Sequence, residues 1–260
     1  MKVSIVIPVY NSSKILEILV EKIKINLSVY KDSFELILIN DFSSDNSWEV
    51  IKNLKHKNIF IKGINLKKNY GQHSAIFCGL KYCKGNFIVC MDDDMQHDPI
   101  HLNNMLKELK DNEVCYVKYL KREHNFFKIF VSKLNNIISS FLMNKSYKIY
   151  TSSFKCFKKE IKDKMISNEG NFVFLDYWVF QYAKKITSIE VSHNKRYYGN
   201  TNYGFRELLT LWSKMIFLIN LKKNNYKFYI ILILRTFFLI FLKKYIKYEK
   251  REQIEVFEII

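Results

Sequence analysis

Short, almost uninterrupted apolar runs alternate with longer amphipathic stretches through the first half of this chain. The runs are VSIVIPV (3–9), FELILIN (34–40), IFIKGINL (59–66) and NFIVCM (86–91). Stretches of about 10–15 residues with helical patterning separate them. Strands that are apolar along their whole length must be buried on both faces. The pattern therefore predicts an α/β fold, with a mostly parallel sheet covered by helices on both sides.

Acidic residues follow two of these runs at the points where the strands should end. Asp41 follows the second run, and the consecutive carboxylates Asp92, Asp93 and Asp94 follow the fourth. In an open parallel sheet, ligands bind beyond the carboxyl ends of the strands. We therefore expect these side chains to meet at one edge of the sheet.

The spacing of Asp92 and Asp94 is that of a DxD motif. Side chains at i and i+2 beyond a strand end can reach the same side of a loop, and the amide oxygen of Gln96 could supply a third ligand. Mg²⁺ and Mn²⁺ prefer oxygen ligands and commonly bridge to substrate phosphates. The alternative is a solvated acidic turn in which Asp98 caps the next helix. The spacing alone leaves both interpretations open.

The chain as a whole is basic, with 42 Lys and Arg against 25 Asp and Glu and a net charge of +17. This excess favours an anionic partner: a membrane surface, a phosphorylated substrate or a nucleic acid. A general bias toward lysine explains it equally well. No zinc spacing, RNP run or basic recognition helix supports nucleic-acid binding. We therefore expect no nucleic-acid partner.

The segment FYIILILRTFFLIFL (228–242) is the one candidate for membrane contact. It has 15 residues with Arg235 near its middle, and lysines flank it on both sides. A spanning helix needs about 20 apolar residues. The pattern therefore predicts an interfacial helix, with a helix buried in the protein as the alternative. Residues 204–220 also show the period of an amphipathic helix.

Neither the N-terminal residues nor the cysteines indicate secretion. The chain begins directly with a strand-like run instead of a signal sequence. Its five cysteines show no CxxC pairing and are typical of reduced core residues in a cytosolic protein. The expected location is the cytoplasm, in peripheral contact with the inner face of the cell membrane.

Four motifs occur in a fixed order along the chain. They are IPVYN (7–11), INDFSSDNS (39–47), NLKKNYGQHSAIFCGLKYCKGNFIVCMDDDMQHDP (65–99) and HNKRYYGNTNY (193–203). Together they resemble the family-2 glycosyltransferases, which have a GT-A fold. More narrowly they resemble the branch of dolichol-phosphate mannose synthase and the bacterial polyprenyl-phosphate sugar transferases. The resemblance covers roughly residues 1–220.

The resemblance implies a Rossmann-like GT-A catalytic domain over residues 1–203. The amphipathic and apolar helices expected over 204–260 would form a membrane-interfacial C-terminal region. The branch uses nucleotide sugars and Mg²⁺ or Mn²⁺, so the expected partners are a UDP- or GDP-sugar and a lipid-phosphate or glycan acceptor. Homo-oligomer formation is left open.

Individual residues take roles from the matching motif positions. The nucleotide-sugar pocket would contain Pro8, Tyr10, Asp41, Gly71, Asp92 and Asp93. The cation would lie among Asp92, Asp94 and Gln96. Arg196 would clamp the diphosphate, a task that suits its fixed fork of donors. The acceptor phosphate would contact Lys121, Arg122 and Ser153.

The implied reaction is an inverting displacement at the anomeric carbon of a hexose-type sugar, with polyprenyl (undecaprenyl) phosphate as acceptor. Asp94 with the metal, and Arg196, would stabilise the leaving nucleoside diphosphate. The alternative acceptor is a sugar hydroxyl of a cell-surface polysaccharide or lipopolysaccharide. Either reaction belongs to cell-envelope polysaccharide biosynthesis, but a hydroxyl acceptor would need a general base whereas a phosphate would not.

Three positions depart from the usual motifs. Ser12 stands where an acidic residue is usual, and Phe42 stands where the glycine of DGS is usual. Ser153 occupies the position of an aspartate for which a base role has been proposed in many relatives. Asp176 is the alternative candidate base, although a buried or capping aspartate explains it equally well. The sequence therefore assigns no base.

Overall fold

The structure is a computed structural model that describes residues 2–30, 33–120, 136–141, 143, 146, 149–167, 174–191, 216, 226–241 and 254–260. The strands within these ranges are β1 (Val3–Val9), β2 (Phe34–Asn40), β3 (Ile61–Leu66), β4 (Phe87–Cys90), β5 (Val114–Tyr119), β6 (Lys155–Lys158), β7 (Ile186–Val191) and β8 (Val256–Ile259). The helices are α1 (Leu16–Asn26), α2 (Ser47–Lys57), α3 (Gln72–Leu80), α4 (Leu102–Glu108), α5 (Lys159–Ser167), α6 (Leu175–Tyr182) and α7 (Tyr226–Phe241). Residues 136–141 are also helical.

The described strands form a single sheet in the order β7-β5-β6-β4-β1-β2-β3-β8. The four strands β4, β1, β2 and β3 are parallel neighbours, and β5 pairs in parallel with β7. Two strands run in the opposite direction: β6, between β4 and β5, and β8, beside β3. The predicted α/β fold with a mostly parallel sheet is confirmed.

The sheet is covered on both faces, as its apolar strands require. Every residue of β1 is buried, and successive side chains alternate between two core clusters. Ile5 and Ile7 pack with α1, α2 and α4, whereas Val6 packs with α3, α5 and α6. Two helical layers therefore hold the strand ends, and the loops that follow them, at fixed positions.

The C-terminal part differs from the expectation of an entirely helical region over 204–260. Residues 256–259 form β8, which pairs antiparallel with β3. The motif VFEI is too short to predict a strand from its own pattern, and its partner is remote in sequence. α7 covers most of 228–242, and the interfacial role expected for that segment stays a prediction. No helix in the described part of the chain is long and apolar enough to cross a membrane. The helix predicted for 204–220 lies outside the described residues, apart from Ile216.

Candidate active site

The loops after β1, β2, β3 and β4 meet at one edge of the sheet because these four strands point the same way. β6 runs in the opposite direction, so residues 152–154, which precede it, lie at the same edge. This edge therefore collects the residues that the sequence placed after strands β1–β4, together with Ser153.

Backbone strain is concentrated in these loops. Among the described residues, the positive φ angles belong to Asn11 (55°), Phe42 (60°), Met95 (64°) and Gly71 (82°). Each lies in the loop after one of the four parallel strands. A non-glycine residue in this region costs about 1 kcal/mol or more, and such residues cluster at functional sites. The distribution points to this edge as the functional one.

The carboxylate of Asp92 is held from both sides. Gln72 Nε2 donates to its Oδ1, and Ser153 Oγ donates to its Oδ2 at 2.7 Å. Its backbone N–H donates to Nδ1 of the buried His97 at 2.8 Å. The His97 ring in turn stacks on Phe154, with ring centroids 4.9 Å apart. Residues from α3, from the loop before β6 and from the loop after β4 thus fix the position of Asp92.

Asp93 turns toward the loop after β1 instead. Its Oδ2 accepts hydrogen bonds from the backbone N–H of Tyr10 at 3.1 Å and from Ser12 Oγ at 2.5 Å. Burial raises the pKa of Asp93 to about 6, although these two donors act to lower it. Ser12, at the position where relatives usually have an acidic residue, therefore donates to Asp93, whereas a carboxylate there would repel it.

Asp94 stabilises the turn that carries the acidic run. Its Oδ1 accepts from the backbone N–H of Gln96 at 3.0 Å, and Tyr119 OH donates to the carbonyl of Gln96 at 3.4 Å. Asp98 Oδ1 accepts from Ile100 N, so Asp98 caps the following 3₁₀ turn, as the alternative interpretation of this acidic turn expected. That cap coexists with Asp92 and Asp94 at the strand end and does not replace them.

Asp41 fixes the loop after β3. It is only 3% exposed, and its two carboxylate oxygens accept from the backbone N–H groups of Tyr70 and Gly71, each at 2.8 Å. Burial raises the pKa of Asp41, and the two N–H donors partly oppose this effect. A carboxylate oxygen has a second lone pair, so Asp41 can still accept an N–H from a bound base.

A buried ionic group lies further inside, under the β6 end of the site. Lys155 Nζ and Tyr116 OH both donate to Asp176 Oδ1, the hydroxyl at 2.8 Å. Lys155 is 1% exposed and Asp176 5% exposed. The geometry favours the buried aspartate, one of the two interpretations left open by the sequence. The role of Asp176 as a general base stays a prediction.

Most of the predicted site residues lie at this edge, whereas three fall outside the described residues. The predicted residues at the edge are Tyr10, Asp41, Gly71, Asp92, Asp93, Asp94, Gln96 and Ser153. Pro8 is buried within β1, one residue before the strand ends. Lys121, Arg122 and Arg196 lie outside the described residues, so their predicted roles stay predictions.

The sequence did not single out Gln72 and His97 as partners of Asp92. Gln72 directly follows the glycine of the NYG run, and His97 lies within MQHDP. Both stand inside matched motifs, and that position was the available signal. The partner of Gln72 could not be identified because it depends on how α3 sits against β4, and that of His97 because it depends on how the loop after β4 folds.

The donors at the edge fit a divalent cation that is completed by other ligands. Within the described part of the chain, no three His, Cys, Asp or Glu side chains come close enough to hold a metal ion by themselves. Two carboxylates and an amide oxygen are hard donors, and Mg²⁺ is commonly bound by one or two carboxylates together with substrate phosphates and waters. The donor chemistry therefore suits Mg²⁺ or Mn²⁺ bound jointly with a diphosphate.

Phe42 offers a direct test of strain at this edge. Replacing Phe42 by Gly should raise the free energy of unfolding by about 0.5–1 kcal/mol, because the left-handed penalty exceeds the extra flexibility of glycine. Phe42 is 57% exposed, so little packing is lost. Urea unfolding measures the change. Ile59→Gly is the control, at a turn residue that is 93% exposed and has an ordinary φ. This control should lose stability. Equal losses of stability in Phe42→Gly and Ile59→Gly would contradict the prediction.

Proteins of known activity share both sequence and fold with this chain. Residues 4–165 match the model of glycosyl transferase family 2. The undecaprenyl-phosphate 4-deoxy-4-formamido-L-arabinose transferase of Photorhabdus laumondii is 30% identical over 212 residues, which are 81% of this chain and 65% of the relative. The protein of the same name from Proteus mirabilis is 29% identical over 214 residues, with the same coverage. The chain thus spans 65% of the length of these curated relatives.

Solved structures with this fold have lower sequence identity. Glucosyl-3-phosphoglycerate synthase from Mycobacterium tuberculosis, in complex with Mn²⁺, UDP and phosphoglyceric acid, has a TM-score of 0.63 at 14% identity, covering 86% of this chain and 80% of that chain. A mannosyltransferase from Pyrobaculum calidifontis, in complex with GDP-Man and Mn²⁺, has a TM-score of 0.60 at 15% identity, covering 94% and 72%. Both are glycosyltransferases of the GT-A fold. The family model matches more than half of the residues of this chain. The chain therefore belongs to glycosyl transferase family 2 and has the GT-A fold.

Proposed function

We propose that this chain is a glycosyltransferase that moves a sugar from a nucleotide-diphosphate sugar to a polyprenyl phosphate of the undecaprenyl type. The observation that carries the proposal is the convergence of Asp92, Asp94 and Asp41 at the carboxyl edge of a family-2 sheet. The names of the curated relatives support undecaprenyl phosphate as the acceptor. The UDP and GDP-Man bound in structures of the same fold support a nucleotide-sugar donor.

In this proposal the donor diphosphate lies beside the loop after β4. Asp92, Asp94 and Gln96 would hold Mg²⁺ or Mn²⁺, which when bound supplies positive charge to the diphosphate as it leaves. Gln72 and Ser153 keep the Asp92 carboxylate in place, and Asp93 is turned away toward Ser12. Arg196 is proposed as the side chain that clamps the diphosphate.

The proposed displacement inverts the anomeric carbon. An oxygen of the acceptor phosphate attacks from the face opposite the leaving diphosphate, and Lys121 and Arg122 are proposed to hold that phosphate. A phosphate oxygen is already anionic at neutral pH, so the step needs no general base. A sugar hydroxyl would need one, but Asp176 is buried and ion-paired with Lys155, and Ser153 replaces the usual aspartate. These observations favour the phosphate acceptor over the glycan hydroxyl.

An anionic membrane surface is the proposed place of the reaction. Among the side chains of α7 whose burial is described, the exposed apolar ones are Tyr229, Ile230, Leu232, Ile233, Phe237, Leu239 and Ile240. Arg235 Nε donates to the carbonyl of Ile216 at 3.0 Å, so its charge is not simply presented to solvent. Lysines flank the helix in sequence. An apolar helix with basic flanks is suited to the interface of an anionic bilayer, here proposed as the inner face of the cell membrane.

A transfer assay tests the proposal. The 260-residue chain is incubated with Mg²⁺ or Mn²⁺, undecaprenyl phosphate and a panel of UDP- and GDP-sugars that includes UDP-4-deoxy-4-formamido-L-arabinose. We expect a lipid-linked sugar, detected by mass, that requires both the lipid and the divalent ion. Metal-dependent donor hydrolysis without a lipid product would move the acceptor to a glycan hydroxyl. Failure to bind or consume any donor would refute the proposed activity.

A further inference from the structure

The last described segment of the chain, residues 254–260, is attached to the sheet directly beside the candidate nucleotide site. β8 pairs with β3 through Ile259 opposite Ile64 and Val256 opposite Leu66. Gly63 and Ile260 exchange two backbone hydrogen bonds, each 3.0 Å long. Because β8 is antiparallel to β3, the start of β8 lies at the carboxyl end of β3. A segment remote in sequence therefore reaches the loop that follows β3.

Glu255, the residue just before β8, makes three contacts with that loop. Its carbonyl accepts from the backbone N–H of Lys67 at 3.1 Å, and its own N–H donates to Tyr70 OH at 3.1 Å. Its carboxylate forms an ion pair with Lys67 Nζ at 2.8 Å, and the lysine lowers the pKa of Glu255. Glu255 therefore contacts both the first and the last residue of the stretch 67–70.

The last residue of the same stretch, Tyr70, and the adjoining Gly71 are bonded to Asp41. Tyr70 N and Gly71 N donate to separate oxygens of the Asp41 carboxylate, as described above. Gly71 adopts a φ of 82°, which places the following helix α3 and Gln72, the partner of Asp92. Glu255 is therefore linked through Tyr70 to residues on both sides of the proposed donor pocket. Asp41 lies on the base side, and Gln72 with Asp92 lies on the diphosphate side.

We propose that Glu255 and Tyr70 are positioning residues for the donor nucleotide. They act on its binding indirectly, by holding residues 67–71 against Asp41. The inference rests on the proposed function, since it takes the pocket beside Asp41 to be the one that binds a nucleoside diphosphate. Neither residue needs to touch the ligand. Loss of their contacts allows residues 67–71 to move, which weakens nucleotide binding more than it slows the chemical step.

A matched pair of charge reversals on the same strand segment tests this role. Glu255→Lys places a lysine against Lys67, whereas Glu258→Lys removes the hydrogen bond between Trp48 Nε1 and Glu258 on the side facing α2. Both variants change the net charge equally. The new lysine of Glu255→Lys lies nearer the proposed pocket, so its attraction for an anionic nucleotide would lower the Kd and cannot account for a rise. UDP and GDP are titrated calorimetrically into each chain in the presence of Mg²⁺.

We expect Glu255→Lys to raise the Kd of the nucleotide by about twofold to fivefold relative to Glu258→Lys, where fivefold is the most that one exposed ion pair contributes. The double variant Lys67→Glu with Glu255→Lys restores the ion pair with its charges exchanged, and it should recover most of the nucleotide affinity. With an identified donor, KM should rise in Glu255→Lys while kcat stays within about twofold.

Each other outcome has a definite meaning. If Glu255→Lys fails to fold, Tyr70→Phe supplies the second variant, since it removes only the hydroxyl that accepts from Glu255 N. Equal Kd values in Glu255→Lys and Glu258→Lys, or an unchanged Kd in Tyr70→Phe, would overturn the positioning role. If the unchanged chain binds neither UDP nor GDP, the proposed function itself fails, and the inference fails with it.

Discussion

Replacing Asp94 by Asn should reduce the rate of sugar transfer by about 100-fold. Asparagine has the same shape but no charge, and loss of the proposed anionic ligand should weaken the electrostatic stabilisation of a leaving diphosphate by about 3 kcal/mol. The fold should survive, because Asn Oδ1 can still accept the hydrogen bond that Asp94 Oδ1 receives from Gln96 N. Initial rates measured across a Mg²⁺ or Mn²⁺ titration should show a higher requirement for the metal.

Asp98→Asn is the matched control, because Asp98 lies four residues further along the same loop but outside the proposed ligand set. Asp98 caps the 3₁₀ turn at Pro99–His101 by accepting from Ile100 N, and asparagine is about as good a cap as aspartate. This variant should retain its activity and its metal dependence. Similar losses in Asp94→Asn and Asp98→Asn would mean that the acidic loop matters for its structure, and the assignment of Asp94 as a metal ligand would be wrong.

The parts of the site that could be predicted are those encoded by local pattern. The apolar runs that became β1–β4 carry their own signal, since each is short, nearly continuous and bounded by polar residues. Parallel pairing then brings Asp41, Asp92 and Asp94 to one edge without any knowledge of side-chain contacts. A prediction of this kind needs only the order of the elements and the direction of the strands.

The parts that could not be predicted depend on contacts between remote segments. β8 is four residues long and becomes a strand because β3 offers it an unpaired edge. The hydrogen bond of Ser153 to Asp92 exists because β6 enters the sheet antiparallel beside β4. Phe42 keeps a left-handed conformation that its side chain disfavours, since the loop after β2 requires it. Sequence spacing contains none of this information.

The second large effect is expected at the buried group of Lys155, Asp176 and Tyr116. Replacing Lys155 by Met should lower the free energy of unfolding by about 3–5 kcal/mol, because it leaves the Asp176 carboxylate buried without a compensating charge. The hydroxyl of Tyr116 alone cannot offset that loss. Urea unfolding at neutral pH, followed by intrinsic fluorescence, measures the change.

The double variant Lys155→Met with Asp176→Leu separates the structural role of Asp176 from a catalytic one. Replacing a whole buried ion pair by apolar residues is often neutral, so most of the stability should return. A remainder of about 1 kcal/mol or more should persist because Tyr116 OH loses its acceptor, and adding Tyr116→Phe should remove it. If Asp176 serves only the fold, transfer activity recovers with stability and the pH profile of kcat/KM keeps its shape. A stable double variant without activity, alongside a Lys155→Met variant that is active while folded, would instead identify Asp176 as the base and would favour a hydroxyl acceptor over a phosphate.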